Sequence, residues 1–193
     1  MEKNNCIMTK KYIFLDRDGV IFKYRQNRYV NCVDDIEYID GSLLALKKLH
    51  SAGVSVIVIS NQAGVGKGLM MTEALSKITE RMLDDAAKAG GEILDVFYCT
   101  HNVDENCDCR KPRPGLIFSA AKKYGFDPSK TYLIGDNISD IEAGRNGGCK
   151  TILVKTGNAA LKPSDEWTAK PDFIEPDLLS AVKRVLNEDF GLI

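Results

Sequence analysis

The chain has 193 residues, 44% of them hydrophobic and 27% charged, with a formal net charge of −1. That length carries a sizeable core, and a near-neutral charge without a Lys/Arg-rich block gives no footprint for nucleic acid. No apolar run approaches the roughly 20 residues that cross a bilayer, and the start of the chain lacks the apolar stretch of a signal peptide, so a cytoplasmic protein without a membrane partner is expected.

Residues 1–10 read as a flexible leader, and 11–190 as one domain without repeat, linker or lid insertion. Tyr12–Leu15 predicts a buried strand that runs into Asp16-Arg17-Asp18-Gly19. This places two carboxylates at the carboxyl edge of a sheet, where open α/β folds bind ligands. Taken alone, the same four residues also describe a polar turn. Residues 23–35 are polar and irregular, and read equally as a pocket wall or a solvated loop. Asp40 or Ser42 can cap a helix over Leu43, Leu46 and Leu49, closed by Gly53. Val54–Ile59 is β-branched and apolar, as a central parallel strand should be. The run from Ser60 to Gly68 contains Gly64, Gly66 and Gly68, and predicts a loop that wraps a ligand. It lacks the Gly-Lys-Ser/Thr ending of an ATP-binding loop.

Thr72 can cap an amphipathic helix with Leu75, Ile78, Met82 and Ala86 on one face. Ile93–Tyr98 is the next expected strand. Pro114 suits the first turn of a helix that faces Ile117, Ala120, Ala121 and Tyr124 inward and stops at Gly125. Then follow a strand over Thr131–Ile134, a helix over Ile138–Gly147, a strand over Thr151–Val154 and a loop over Thr156–Lys170. A short strand at Phe173-Ile174 and a helix carrying Leu178, Leu179, Val182, Val185 and Leu186 close the pattern. Strands alternating with helices predict a mostly parallel central sheet covered on both faces, a three-layer α/β/α fold.

Two groups of side chains carry chemistry. Cys99, His101, Cys107 and Cys109 form two pairs, each spaced by one residue, around a short polar loop. Three thiolates and an imidazole suit tetrahedral Zn²⁺, with no position left for water, so the role is structural. Such a site would tie down the segment leading to Arg110 and Lys111. The second group is Asp16, Asp18 and Asp136, each at an expected strand end, where oxygen ligands can hold Mg²⁺. Ser60 can donate to a phosphate oxygen, and Lys111 can offset phosphate charge. Such parts make a phosphoryl-transfer site in which one carboxylate attacks phosphorus and another handles protons. Asp140 can orient a metal-bound water or Lys111, or cap a helix, and Asn137 can touch ligand or cap the same helix.

These residues together resemble the haloacid dehalogenase-like (HAD) phosphohydrolases. Leu15-Asp16-Arg17-Asp18-Gly19-Val20 matches the first motif of that family, Ile59-Ser60-Asn61 the second, Lys111 the third and Gly135–Asp140 the fourth. The resemblance implies a Rossmann-like fold and Asp16 as nucleophile. It further implies Asp18 as general acid/base, Ser60 and Lys111 on the transferred phosphoryl group, and Mg²⁺ held by Asp16, the Asp18 backbone carbonyl and Asp136. The run Asn61–Gly68, the Cys/His pairs and Arg110–Gly115 further resemble the capless D-glycero-D-manno-heptose 1,7-bisphosphate 7-phosphatases and the related histidinol-phosphate phosphatases. By that resemblance Arg110 helps hold the substrate, with Arg17, Asn61 and Gln62 assigned to phosphate or substrate binding, and Arg25 or Arg28 as further basic candidates. The implied partner is a small phosphorylated metabolite, acted on by a monomer. The implied reaction is removal of the C7 phosphate, with histidinol phosphate as the alternative substrate and a zinc-stabilised scaffold as the non-enzymatic alternative. The chain departs from the heptose branch at Asn137, where that branch often has lysine, and over residues 22–28.

Overall fold

A computed structural model describes residues 10–24, 30–157 and 167–190. Six strands form one sheet in the order β3-β2-β1-β4-β5-β6. They are β1 (Lys11–Leu15), β2 (Val54–Asn61), β3 (Asp95–Cys99), β4 (Tyr132–Gly135), β5 (Lys150–Val154) and β6 (Phe173–Glu175). Every pairing among them is parallel. The helices are α1 (Ser42–Ser51), α2 (Ala63–Gly66), α3 (Thr72–Lys88), α4 (Gly115–Tyr124), α5 (Ile138–Asn146) and α6 (Leu178–Phe190).

The continuous apolar strands bury both faces. Ile13, Leu15, Val56 and Val58 pack with residues of α1, α3 and α6. The alternate side chains Phe14, Ile57, Ile59 and Leu133 pack with residues of α4 and α5. Side chains alternate across a strand, so each run supplies two cores and fixes a three-layer α/β/α arrangement. No separate cap covers the sheet among the described residues, and no described helix is long and apolar enough to cross a membrane.

Several local expectations change. Neither Asp40 nor Ser42 caps α1: Gly41 holds the N-cap position at φ 82°, and Ser42 lies buried inside the helix. Thr72 is the first residue of α3 rather than its cap, and Met71 precedes it with no side-chain cap. The glycine-rich run is not one loop. β2 extends through Asn61, and Ala63–Gly66 makes a short helical turn. A Cβ on Gly66 would lie 2.5 Å from the Thr100 carbonyl oxygen, so glycine there lets the turn lie directly on the Cys/His loop. Residues 1–9 of the expected leader, Arg25 and Arg28, and most of the expected 156–170 loop lie outside the described residues.

Candidate active site

Because β2, β1 and β4 are adjacent and parallel, their carboxyl ends deliver Ser60, Asp16 and Asp136 to one edge. The Asp16 amide donates to the Ile134 carbonyl at 2.9 Å, which carries the pairing of β1 with β4 one residue past the strand. A cleft of about 500 Å³ opens there, and Lys23, Tyr24 and Val30 line it. These three belong to the segment that sequence left undecided between pocket wall and solvated loop.

Lys111 is buried at the cleft floor. Its Nζ lies 2.7 Å from Asp16 Oδ1 and 2.6 Å from Asp140 Oδ1, and donates to the Ile59 carbonyl at 2.9 Å. Burial works against the charge of Lys111, but Asp140 and Asp16 outweigh it and raise its pKa. Burial pushes the Asp16 carboxyl up to about 6, opposed by Lys111 and reinforced by Asp140 and Asp18. Asp16, Asp136 and Asp140 bring carboxylate oxygens within 4.8 Å of one another. The backbone closes tightly around Asp136. A Cβ on Gly157 would meet its Oδ2 at 2.0 Å, and one on Gly19 (φ +85°) would meet it at 2.4 Å. Three carboxylates this close together, two of them on the Lys111 ammonium, form a hard-oxygen pocket that suits a small divalent cation.

Arg17 does not face the cleft. It is fully buried, with its guanidinium 5.5 Å from the Phe22 ring centroid and 5.6 Å from that of Tyr98. Its Nε donates to Asp18 Oδ1 at 3.1 Å, and its Nη2 to Asp18 Oδ2 and Gln62 Oε1, each at 2.9 Å. Gln62 is buried too, and its Nε2 donates to Asp18 Oδ2 at 2.9 Å and Ser60 Oγ at 3.1 Å. Arg17 and Gln62, expected at the substrate, are buried and do not line the cleft; they hold Asp18 and Ser60, which do.

Asn61 lines the cleft and also pairs with the Lys111 backbone. Asn137 is the N-cap of α5, accepting from the Ser139 amide at 3.3 Å, while the Asp140 carboxylate accepts from the Asn137 amide at 3.0 Å. Asp140 therefore closes a capping box and also holds Lys111. Arg110 lines the cleft, and its Nη1 is buried without a hydrogen-bond partner. Such an orphaned donor suits an incoming anion.

The Cys/His residues gather beside this edge. Cys99 Sγ lies 3.5 Å from Cys107 Sγ and 3.7 Å from His101 Nδ1. Cys109 Sγ lies 3.5 Å from Cys107 Sγ and 3.2 Å from His101 Nδ1. Burial, then the neighbouring Cys99 and Cys107, pushes the Cys109 thiol up to about 12. The loop is wedged at its other end as well, since a Cβ on Gly115 would fall 2.3 Å from the Asp108 carbonyl oxygen.

Sequence reasoning missed Gly157 and Thr156. The Thr156 hydroxyl donates to the Gly19 carbonyl at 2.6 Å, joining the end of β5 to the Asp-rich turn. A Thr-Gly pair just past an apolar strand was the available signal.

The HAD-hydrolase-like family matches residues 108–181. The chain is 39% identical over 163 residues to the D-glycero-alpha-D-manno-heptose-1,7-bisphosphate 7-phosphatase of Photorhabdus laumondii, covering 80% of this chain and 88% of the relative. It is 34% identical to the D-glycero-beta-D-manno-heptose-1,7-bisphosphate 7-phosphatase of Haemophilus ducreyi, covering 92% of this chain and 100% of the relative. The crystal structure of the D,D-heptose 1,7-bisphosphate phosphatase of B. bronchiseptica, complexed with magnesium and phosphate, superposes with a TM-score of 0.87. Its sequence identity is 32%, with coverage of 92% of this chain and 99% of that one.

Proposed function

The chain belongs to the capless HAD-like heptose-1,7-bisphosphate 7-phosphatases, and from that membership we propose that it hydrolyses the C7 phosphate of D-glycero-D-manno-heptose 1,7-bisphosphate through an aspartyl phosphate on Asp16. The observation that carries this reading is Lys111, a cation buried between Asp16 and Asp140 where the ends of β1 and β2 meet. An ammonium held there offsets the charge of a carboxylate nucleophile and of the phosphoryl group it attacks.

Asp16 Oδ1 accepts from Lys111, so Oδ2 is the attacking atom. It forms a bond to phosphorus as the bond from phosphorus to the C7 oxygen breaks. Asp18 delivers a proton to that leaving oxygen. It then takes a proton from water as the water oxygen attacks phosphorus and the Asp16–phosphorus bond breaks, releasing phosphate. Ser60 and Lys111 carry the phosphoryl oxygens, and Asn61 aligns Lys111. Arg110 is the cation for the distal phosphate. Asp16, Asp136 and the Asp18 carbonyl would hold Mg²⁺, with Asp140 supporting the set. When bound, the ion offsets the negative charge gathered by nucleophile and phosphoryl group.

Cys99, His101, Cys107 and Cys109 fit a structural Zn²⁺. Four ligands 2.0–2.3 Å from one centre stand about 3.3–3.8 Å apart along each tetrahedral edge, and the observed separations of 3.2–3.7 Å match that spacing. Metal-binding thiols suit a reducing compartment, which supports the cytoplasm. A globular domain without a cap can function alone, which supports a working monomer.

The test is phosphate release from both anomers of the bisphosphate, from heptose 7-phosphate and from histidinol phosphate. A preference of at least ~10-fold in kcat/KM for one bisphosphate over the 7-monophosphate is expected, from the charge-assisted contact of Arg110 with the distal phosphate. Arg110→Ala should erase that preference through KM. Preference for histidinol phosphate would overturn the substrate.

A further inference from the structure

The hydrogen bonds beneath the cleft run in one direction. A guanidinium has donors only, so Arg17 fixes which end of the Gln62 amide faces it. Gln62 Oε1 must accept from Arg17 Nη2, at 2.9 Å. That leaves the two Nε2 hydrogens pointing the other way, and the structure places one acceptor for each. These are Asp18 Oδ2 at 2.9 Å and Ser60 Oγ at 3.1 Å. Ser60 Oγ already accepts, so its own hydrogen is free to point into the cleft that it lines. Arg17 cannot reverse this order, because it is pinned between the rings of Phe22 and Tyr98 and tied to both oxygens of Asp18. At 0% exposure for Arg17 and 2% for Gln62, water does not compete for these bonds.

We infer that Gln62, oriented by Arg17, is a positioning residue that holds the Asp18 carboxyl and the Ser60 hydroxyl in register for one phosphoryl transfer. The inference rests on the phosphatase reading, in which Asp18 protonates the leaving oxygen and Ser60 donates to a phosphoryl oxygen. Gln62 touches neither substrate nor phosphorus. It acts by setting two groups from different strands, Asp18 after β1 and Ser60 on β2, at a fixed separation. Asp18 must meet the leaving oxygen while Ser60 meets the phosphoryl group, and one amide nitrogen bonded to both couples those placements.

The experiment separates this role from a merely structural one by the leaving group. An alkoxide leaving from C7 needs a proton; p-nitrophenolate does not. The parameter kcat/KM reports the steps up to formation of the phosphoenzyme, so a misplaced Asp18 costs rate on the sugar phosphate only. Gln62→Leu and Gln62→Glu are compared with wild type and with Asp18→Asn on heptose bisphosphate and p-nitrophenyl phosphate. Gln62→Glu still accepts from Arg17 but cannot donate, which keeps the test available should Gln62→Leu fail to fold. Both variants are expected to lose ~100-fold or more on the sugar phosphate, the scale of lost acid catalysis, and no more than ~5-fold on p-nitrophenyl phosphate, where only the Ser60 contact suffers. Adding Asp18→Asn to either should cost little more. Arg17→Lys, which loses the fork, should show the same split in weaker form. Equal losses on both substrates, or no loss on the sugar phosphate, overturn the inference. If Asp18→Asn itself shows no dependence on leaving group, the acid/base assignment fails instead.

Discussion

The Asn61 side chain grips the backbone of Lys111 from both sides: its Oδ1 accepts from the Lys111 amide and its Nδ2 donates to the Lys111 carbonyl, each at 3.0 Å. The end of β2 and the segment after the Cys/His cluster are thereby joined as if by one rung of sheet. Asn61→Ala should lower kcat by ~10–100-fold, because a shift of about an ångström in a positioned catalytic group costs that much. Asn61→Asp keeps the acceptor and loses the donor, so it should fall between. Steady-state kinetics with a zinc assay on each variant checks this, with zinc content expected to stay at the wild-type level.

Disruption of the Cys/His cluster should reach the cleft through the same segment. Cys109→Ser is expected to reduce bound zinc from about one equivalent and to lower kcat/KM by ~100-fold. Excess Mg²⁺ should not restore it, since the two sites differ in ligand chemistry. Metal analysis beside kinetics reads both effects.

Asp16 gives the protein a pH-dependent weakness when Mg²⁺ is absent. Burial holds its carboxyl at about 6 against an ordinary 3.8. A carboxyl raised on folding binds its proton more tightly in the folded chain, so the contribution of Asp16 to stability is fully present below about pH 4 and is lost as pH rises through about 6. Asp16→Asn should remove that decline and, with Asp16 as the proposed nucleophile, should abolish turnover. In Mg²⁺-free buffer with zinc retained, urea unfolding at pH 8 should find the variant more stable than wild type by ~2 kcal/mol. The difference should vanish near pH 4. Added Mg²⁺ should stabilise wild type and leave the variant nearly unchanged.

Gly157→Ala should act on Mg²⁺ rather than on fold. The new Cβ would fall 2.0 Å from Asp136 Oδ2, so the carboxylate must turn away. The Mg²⁺ concentration for half-maximal rate should rise ~10–100-fold, the usual cost of displacing a group that orients a metal ligand. Thermal melting should shift by only a few degrees. A metal titration of activity measures the first and calorimetry the second.

Asp16, Ser60, Lys111 and Asp136 were legible because each stands where an apolar run turns polar or just after a ligand cluster. The parallel sheet was legible for a related reason, since strands buried on both faces read as unbroken apolar runs. Depth was not legible. Arg17 sits between two carboxylates and looks like a surface cation, and its burial depends on Phe22 and Tyr98, which the sheet brings together from distant stretches. The burial of Gln62 was hidden on the same ground. The start of α1 was misread because Asp40 and Ser42 both have capping side chains, while Gly41 takes the left-handed backbone conformation instead.

The place of β1 between β2 and β4 sets when the acidic cluster can first assemble. A chain emerging from the ribosome makes Asp16, Ser60 and Lys111 well before Tyr132, yet β1 gains its second neighbour only when Ile13 pairs with Tyr132. A nascent chain stopped short of that pairing has Asp16, Ser60 and Lys111 and lacks Asp136 and Asp140. The cluster of Asp16, Asp136 and Asp140 therefore closes late, with the same long-range pairing that completes the middle of the sheet.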